Sequence, residues 1–312
     1  MKSLLQFALL GTLLHSTQIL AEDKNDNLNI FLDSIENKIS LIHKKINESS
    51  KYVDEFITNE SNEDIYKHSY IRFENTLEKK ESKSLDFEQN LDIRIHLPKL
   101  RNKLSITIDN NDTLVDKEYE DSNEKLKHSR NDDYNIGLLY NTIKNDINLK
   151  LRLGVKASSN PYLYIKSEAK KEFELSENDS IELEEKLKYS DKFRLDNYSI
   201  IHYKHNINEY LDFFNYNEYY INSEIKDNNI YNSLRLSQKL DDKRYLNYLA
   251  SIDSNDQNSN LKIKEYHTYV SYRKYIRKWL YYDIVPSISW SRNNDFEKEL
   301  AIKVGFGVLI KN

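Results

Sequence analysis

The sequence predicts an all-β protein: an antiparallel transmembrane up-and-down β-barrel of about fourteen strands, with about twelve as the alternative, preceded by an N-terminal amphipathic helix. Three observations support this prediction. An apolar leader opens the chain, a helical hydrophobic period follows it, and residues 63–312 consist of short runs in which apolar and polar side chains alternate. A run with period 2 places its two sets of side chains on opposite faces of one strand.

The leader has the features of a secretory signal peptide, which we place at residues 1–21. Lys2 precedes an apolar run from Leu4 to Leu14, and Ala21 is the expected last residue removed. This run is shorter than the roughly 18 residues that a membrane-spanning helix needs, and no later stretch reaches that length. The sequence therefore predicts an exported protein that does not cross a membrane with helices.

A periplasmic helix is predicted over residues 22–62. Apolar residues recur there from Leu28 to Phe56 with a period near 3.5 and one interruption at Ser49, as in a coiled-coil seam. Phe31 widens the stripe, as in an amphipathic helix that packs against its own domain. Both interpretations stay open, and the coiled coil would allow self-association.

The barrel prediction depends on the runs that follow. From Ile147 to Val155, apolar residues stand at every odd position and polar residues or glycine at every even one. We count about fourteen runs of roughly ten residues, the length at which a tilted strand crosses a bilayer. Short connections alternate with longer ones such as "NNDTLVDKEYEDSNEKLKHSRND" and "DSNDQNSN". Both chain ends then fall on the short-turn rim, which requires an even number of strands.

A secreted soluble β-sandwich with a coiled-coil segment would show the same alternation. Two features favour the barrel. The chain has only 5 glycines and 3 prolines, too few for many sandwich turns, and its 24 tyrosines cluster near run ends, as in "YLYI", "YNEYY" and "WLYY". Aromatic rings at strand ends form the girdles of membrane barrels, so we expect these tyrosines at the interfaces.

Composition argues against several classes of function. A net charge of -5 and a pI near 6.0 argue against a nucleic-acid partner. The absence of cysteine excludes a disulfide scaffold and a thiolate metal site. The histidines lack HxxxH and HExxH spacing, and no G-x-S-x-G or phosphate-binding loop occurs. We therefore predict no catalytic residue, cofactor or metal, and keep a barrel hydrolase acting on lipids or peptides as the alternative, which would need a Ser–His–Asp-like set.

The polar faces of the predicted strands carry charges of both signs, which we expect to line the lumen. They are Arg94, His96, Lys150, Arg152, Lys156, Glu182, Glu184, Arg235, Lys239 and Asp283. Mixed signs suit a weakly selective channel or an ion-pair network that plugs a narrow barrel, and neither sign dominates. A buried Asp283 needs a cationic partner, for which Arg273 and Arg277 lie nearest in sequence. We favour a structural ion pair there over a constriction.

The C-terminal stretch "KVGFGVLI" contains Lys303, Gly305, Val308 and Ile310. It resembles the polar-x-Gly-x-x-hydrophobic-x-hydrophobic signal that hands outer-membrane barrels to the barrel-assembly machinery. Ile310 stands where that signal usually has an aromatic residue, and two further residues follow it. The resemblance implies the assembly machinery as a partner.

A longer resemblance covers most of the mature chain. The stretches "YVDEFITNESNED", "YIRFE", "LPKLRNKLSITI" and "YRKYIRKWLYYDIVPSISWSRNNDFEKELAIKVGF" resemble an uncharacterised family of Gram-negative outer-membrane proteins. Asp54 and Phe56 fit its W-L-D-x-F-F-like motif. Its W-L-F/Y-Y/F-E-x-x-P-x-x-x-W-P-R hairpin is matched by Trp279, Tyr282, Asp283 (in place of Glu), Pro286 and Trp290.

Within that hairpin, Pro286 lacks an N–H and predicts a β-bulge. The family resemblance implies a barrel in the outer membrane and carries no known reaction, so no catalytic residue is transferred. The sequence as a whole predicts an outer-membrane barrel of unknown specific role, acting as a passive porin-like channel or a structural envelope protein. Lipid and lipopolysaccharide would be its surroundings.

Overall fold

A computed structural model of the chain describes residues 69–97, 103–110, 134–192, 194–223, 228–257 and 260–311, with four isolated positions at 33, 41, 44 and 48. Those four positions have helical backbone and exposed side chains. The predicted signal peptide, the rest of segment 22–62, and the motif residues Asp54 and Phe56 lie outside the described residues. Among the described residues, no helix has the length and apolarity of a helical membrane span.

Between residues 69 and 311 the described chain forms fourteen strands and one 3-10 helix at Arg292–Asn294. The strands are β1 (Tyr70–Lys80), β2 (Asp86–Leu97), β3 (Leu104–Asp109), β4 (Tyr134–Lys144), β5 (Ile147–Ala157), β6 (Tyr162–Glu174), β7 (Asp179–Ser190), β8 (Arg194–Asn208), β9 (Leu211–Asn222), β10 (Asn228–Lys239), β11 (Arg244–Gln257), β12 (Asn260–Arg277), β13 (Leu280–Ser291) and β14 (Lys298–Lys311).

These strands form one closed antiparallel sheet in which each strand pairs with its neighbours in sequence and β1 pairs with β14. Closure places Tyr70 opposite Lys311 at one end of that pair and Lys80 opposite Ala301 at the other. A closed sheet leaves no strand edge unpaired, which is what a bilayer requires. The predicted up-and-down barrel of fourteen strands is confirmed, and the alternative of twelve is wrong.

The two rims of the barrel differ in their connections. The terminal rim, where β1 begins and β14 ends, has six connections of two to six residues (98–103, 145–146, 175–178, 209–210, 240–243 and 278–279). The opposite rim, which we call the loop rim, carries the 24-residue connection 110–133 and six shorter ones. The long loop expected at "DSNDQNSN" is wrong, because β11 runs to Gln257 and β12 starts at Asn260. Polar residues there continue the strands instead of ending them.

The outward faces of the strands form an apolar belt. On β5, Leu149, Leu151 and Leu153 are 37%, 40% and 53% exposed, whereas Lys150 and Arg152 between them are 5% and 2% exposed. Exposed leucines, isoleucines and phenylalanines recur on the other strands. The outer positions of β7 to β10 also include a polar group joined by hydrogen bonds, namely Glu185, Asn197, Asn215, Asn217 and Asn232. An apolar surface of this kind suits contact with hydrocarbon and is costly in water.

The tight turn between β4 and β5 is made without glycine. Asn145 and Asp146 have φ of 51° and 61°, so both central residues lie in the left-handed region, as in the type I′ turns of two-residue hairpins. Asn and Asp tolerate this region better than other non-glycine residues. Their presence explains how a chain so poor in glycine forms a short hairpin.

The glycines of the described chain lie inside strands instead of in turns. Three of them lie beneath a large inward side chain: Gly137 under Arg152, Gly154 under Tyr164, and Gly307 under Tyr281. A Cβ atom at these positions would come within 2.8, 2.5 and 2.1 Å of those side chains. Glycine therefore allows an arginine and two tyrosines to lie flat against the inner wall.

Candidate functional site: the charged interior of the barrel

The predicted lumen charges occupy the inner wall. Seven of the ten are buried, namely His96, Lys150, Arg152, Lys156, Glu182, Arg235 and Asp283. Arg94, Glu184 and Lys239 are half-buried. Buried charged groups are rarely left without partners, so we expect these charges to neutralise one another.

The half of β5–β7 nearer the terminal rim pairs each cation with a carboxylate. Two ion pairs join these strands, Lys150 with Glu168 at 2.8 Å and Lys170 with Glu182 at 2.5 Å. A third, Lys186 with Glu184 at 3.1 Å, lies within β7. The Lys150–Glu168 pair is deeply buried, with side chains 5% and 2% exposed. The predicted ion-pair network is therefore present along this part of the wall.

The other half of the same strands, toward the loop rim, has a different charge distribution. Arg152, Lys166 and Lys188 are directly opposite one another across β5, β6 and β7, and we call them the basic row. They are 2%, 5% and 6% exposed, and Lys156 nearby on β5 is 3% exposed. In this half, the inward positions of the three strands hold no acidic residue.

Carboxylates of the flanking strands reach the basic row. Asp109 on β3 accepts a hydrogen bond from Nη1 of Arg152 at 2.6 Å. Asp196 on β8 is opposite Lys188, and its Oδ1 also accepts hydrogen bonds from Tyr220 and Asn222 at 2.8 and 2.5 Å.

Part of the Arg152 guanidinium is not satisfied by hydrogen bonds to the described residues. Within the part of the chain that the structure describes, its Nε and Nη2 atoms are buried and have no hydrogen-bond partner. Its Cζ lies 5.6 Å from the ring centroid of Tyr164, and Nζ of Lys188 lies 5.7 Å from the same centroid. Both cations therefore lie within cation–π distance of the same tyrosine ring.

An aromatic wall lies beside these charges on β8, β9 and β10. It consists of Tyr198, His202, Phe214, Tyr216, Tyr220 and Tyr231. His202 stacks on Phe214 with 5.5 Å between centroids, and Cζ of Arg235 lies 4.4 Å from the Phe214 centroid. Tyr198 and Tyr220 are 4.6 Å apart, and Tyr216 and Tyr231 are 6.0 Å apart.

The girdle interpretation is therefore wrong for many tyrosines. In "YLYI", Tyr162 and Tyr164 are 6% and 4% exposed on the inner wall, and in "WLYY" Tyr281 is 3% exposed. By contrast, Tyr189 and Tyr210 are 47% and 52% exposed. Alternate residues of a strand point in opposite directions, so part of every tyrosine cluster faces inward. The position of each tyrosine in its run, odd or even relative to the apolar residues, is the signal in the sequence that distinguishes inward from outward tyrosines.

The family-like hairpin contributes a buried cluster near the terminal rim. Arg273 donates from Nε and Nη2 to the two oxygens of Asp283, both at 2.7 Å, and its Cζ lies 4.3 Å from the ring centroid of Tyr281. The Tyr281 hydroxyl donates to Glu74 on β1. This cluster links β12 and β13 to the first strand, across the seam where the barrel closes.

The other hairpin residues are spread along β13 and the turn before it. Trp279 is buried, Tyr282 and Trp290 are half-buried, and Pro286 is exposed on the outer face. The bulge predicted at Pro286 is wrong, because the register of β13 with β12 is the same before and after it. The register shift in that pair lies instead between Tyr275 and Arg277. Pro286 therefore faces outward without an inserted residue, and the register of β13 is unchanged.

The C-terminal signal residues lie on the closing strand. Lys303 is opposite Glu78, Val308 is half-buried and Ile310 is 6% exposed. A Cβ at Gly305 would meet Asp283 Cβ at 3.6 Å, an ordinary contact, so that glycine is not required by packing. Recognition of these residues by the assembly machinery stays a prediction.

The hydrolase alternative can be compared with one cluster on the terminal rim. Asp179 accepts from Tyr203 at 2.5 Å, contacts Nδ1 of His205 at 2.8 Å and accepts from Ser176 at 2.6 Å. The serine hydroxyl is bound to the carboxylate and not to the imidazole, which differs from a Ser–His–Asp relay. Among the described residues, no group of three or more His, Asp or Glu side chains is placed to hold a metal ion.

No family model and no curated protein matches this chain. It is similar to solved barrels, including a loop-deleted OmpT, an outer membrane protein of Vibrio cholerae (TM-score 0.48, 7% identity, covering 77% of this chain and 98% of that one). Two others are the outer membrane channel DcaP of Acinetobacter baumannii (0.45, 8%, 77% and 95%) and OccK11 of Pseudomonas aeruginosa (0.45, 8%, 78% and 96%). With such low identities, the function of this chain has to be inferred from its own residues.

Proposed function

We propose that this protein is an outer-membrane channel through which small polar solutes diffuse passively. The observation that carries the proposal is the closed sheet whose outer face is largely apolar and whose inner face is charged and aromatic. In a closed barrel every strand is hydrogen-bonded to its neighbours, as a bilayer requires. A polar inner face suits a water-filled path between the two compartments.

The apolar belt supports the membrane location in particular. A soluble barrel would expose its leucines to water, whereas a lipid bilayer surrounds them with hydrocarbon. Outer-membrane lipid and lipopolysaccharide are then its surroundings, and the assembly machinery is the partner that inserts it. Cell fractionation tests this: the protein should be extracted only with detergent and should migrate faster on gels before heating than after. Release into the soluble fraction would favour the β-sandwich alternative.

A second candidate function is a closed structural barrel. Ion pairs connect β5 to β6 and β6 to β7, and a bidentate pair joins Arg273 to Asp283, so the wall is braced as a scaffold would require. The same charges would also line a channel, so conductance has to distinguish the two functions.

The experiment is to refold the protein and record currents across a planar bilayer. Because the chain has no cysteine, a single cysteine can be placed without background. Ser289→Cys puts a thiol on the inner face of β13, and Ser199→Cys is the matched control on the outer face of β8. A charged methanethiosulfonate should reduce the current of the first variant and leave the second unchanged. A silent bilayer, or equal effects on both, would contradict a channel.

A further inference from the structure

The apolar belt is interrupted on one side of the barrel by a polar group on β7 to β10, which we call the outer polar patch. Its five members, all half-buried, are Glu185, Asn197, Asn215, Asn217 and Asn232. Glu185 lies between Leu183 and Leu187 on the outer face of β7, and these leucines are 43% and 39% exposed. Asn217 is directly opposite Ile201 of β8, which is 50% exposed. The patch therefore lies within the apolar belt and not at a rim.

Hydrogen bonds inside the patch satisfy only part of it. Asn197 donates from Nδ2 to Oε1 of Glu185 at 2.5 Å. Asn232 donates from Nδ2 to Oδ1 of Asn217 at 2.7 Å, and Asn217 donates to Asn215 at 2.7 Å. Among the described residues, no donor reaches Oε2 of Glu185 or Oδ1 of Asn232. Both ends of the patch therefore keep an acceptor oxygen on the outer face.

Hydrocarbon is a poor environment for a carboxylate and four carboxamides, because lipid chains offer no hydrogen-bond donors or acceptors. A charge on the lipid face of a barrel costs most near the middle of the bilayer. Glu185 and Asn217 are each the seventh residue of a twelve-residue strand, which places them near that depth. Lipid headgroups lie at the level of the rims, so a second protein surface is the contact that satisfies polar groups at mid-strand.

The outer polar patch is complementary to itself. A carboxamide both donates and accepts hydrogen bonds, whereas a carboxylate only accepts them. Glu185 on β7 and Asn232 on β10 lie near the middle of their strands, three strand spacings or about 14 Å apart. A two-fold axis along the membrane normal, between β8 and β9, brings Glu185 of one copy opposite Asn232 of a second copy, and the reverse. An acid then meets an amide at both ends, and the two carboxylates stay apart.

We propose that the outer polar patch is the contact surface for a second copy of this chain, so that the barrel is a two-fold dimer in the membrane. The dimer rests on the proposed membrane location, because water would satisfy the same groups in a soluble barrel. It does not depend on whether the lumen conducts, since the two copies meet through the outer faces of β7 to β10 and each keeps its own interior.

Sedimentation velocity of the refolded barrel in mild detergent measures the oligomeric state, and we expect a dimer. Asn217→Leu/Asn232→Leu replaces two carboxamides with side chains that lipid and detergent solvate well, so the single barrel should still fold. The dissociation constant of the dimer should rise about tenfold or more in this variant, because hydrogen bonds made in hydrocarbon are lost. The matched control is Asn75→Leu, which removes another outward amide, bound to Gln89 at 2.8 Å, from β1 on the far side of the barrel. This control should dimerise like the wild type.

Cross-linking keeps the test decisive if the double variant fails to fold, which gel mobility before and after heating reports. Because the chain has no cysteine, Ile201→Cys places a single thiol on the outer face of β8, at the centre of the patch. A short bis-maleimide should join two copies of this variant in lipid vesicles at low protein density. Leu138→Cys, on the outer face of β4 and 43% exposed in the wild type, is the control and should stay monomeric on the gel.

The outcomes separate the dimer from the channel. A monomeric wild type, a dimer that Asn217→Leu/Asn232→Leu leaves unchanged, or Ile201→Cys that does not cross-link overturns the contact surface, whatever the bilayer shows. Equal weakening by Asn75→Leu, or equal cross-linking of Leu138→Cys, overturns it as well. A dimer that passes no current leaves the contact surface standing and removes the channel. Release of the protein into the soluble fraction removes the membrane location and the dimer together.

Discussion

Arg273 and Asp283 form a two-pronged ion pair across β12 and β13, with both nitrogen–oxygen distances at 2.7 Å. The aspartate is 7% exposed, and the guanidinium also lies over the ring of Tyr281. Paired geometry of this kind satisfies both carboxylate oxygens at once, which offsets much of the cost of burying the two charges.

Asp283→Ala should destabilise the barrel by about 3–5 kcal/mol, because it leaves the arginine buried without its counter-charge. Urea unfolding of the refolded barrel measures this loss. The control is Asp242→Ala, which breaks the exposed Lys239–Asp242 pair in a turn and should leave the unfolding midpoint unchanged. Equal effects of the two substitutions would contradict a buried, structural role for Asp283.

Gly307→Ala should impair folding, whereas Gly305→Ala should be tolerated. The new Cβ at position 307 would come within 2.1 Å of the Tyr281 ring, but at position 305 the nearest atom is 3.6 Å away. We expect a cost of about 1–3 kcal/mol for Gly307→Ala, since the Tyr281 ring is fixed by Arg273 and Glu74. Heat-modifiable mobility gives the folded fraction. If Gly305→Ala proves as harmful as Gly307→Ala, the steric explanation fails.

Leu151→Arg should cost about 2–4 kcal/mol if the apolar belt meets hydrocarbon, because Leu151 lies midway along β5 on the outer face. Phe173→Arg, near the terminal-rim end of β6, should cost only about 0–1 kcal/mol. Unfolding from lipid vesicles is the appropriate measurement, since detergent blurs the dependence on depth. A soluble barrel would show no such difference between the two positions.

The turn between β10 and β11 should show a pH-dependent contribution to stability. The backbone N–H of Lys243 and the guanidinium of Arg244 hold the pKa of Asp241 below its usual value of 3.8. A carboxyl whose pKa is lower in the folded state stabilises that state when ionised, and the contribution disappears as the pH falls through the folded-state pKa. Asp241→Asn should therefore lower the unfolding midpoint at about pH 7, and the difference from the wild type should begin to shrink near the usual aspartate pKa and vanish below the lowered folded-state pKa. A difference that persists under acid conditions would point to another cause.

The strands could be predicted because their signal is local. Leu149, Leu151 and Leu153 alternate with polar neighbours, and two adjacent residues are enough to fix which face is which. The ion-pair partner of Asp283 could also be predicted, since Arg273 belongs to the adjacent strand of a short hairpin.

The basic row could not be predicted in the same way. Arg152, Lys166 and Lys188 are separated by 14 and 22 positions in sequence and become neighbours only through the register of two hairpins. Register depends on the exact length of each turn, and a shift of one residue would reverse the faces. The inward tyrosines were missed for a related reason. Composition located the tyrosine clusters, but only the odd or even position of each tyrosine within its strand shows whether it faces the lumen or the outside.

The pairing of β1 with β14 has a consequence for biogenesis. The hydroxyl of Tyr281 and the carboxylate of Glu74 meet although 207 positions separate them, so this contact exists only after the last strand has arrived. A fragment that ends before β14 would carry two exposed strand edges, which are templates for aggregation. Premature termination before β14, or proteolytic loss of its fourteen residues, should therefore be toxic to the envelope instead of merely inactivating the protein.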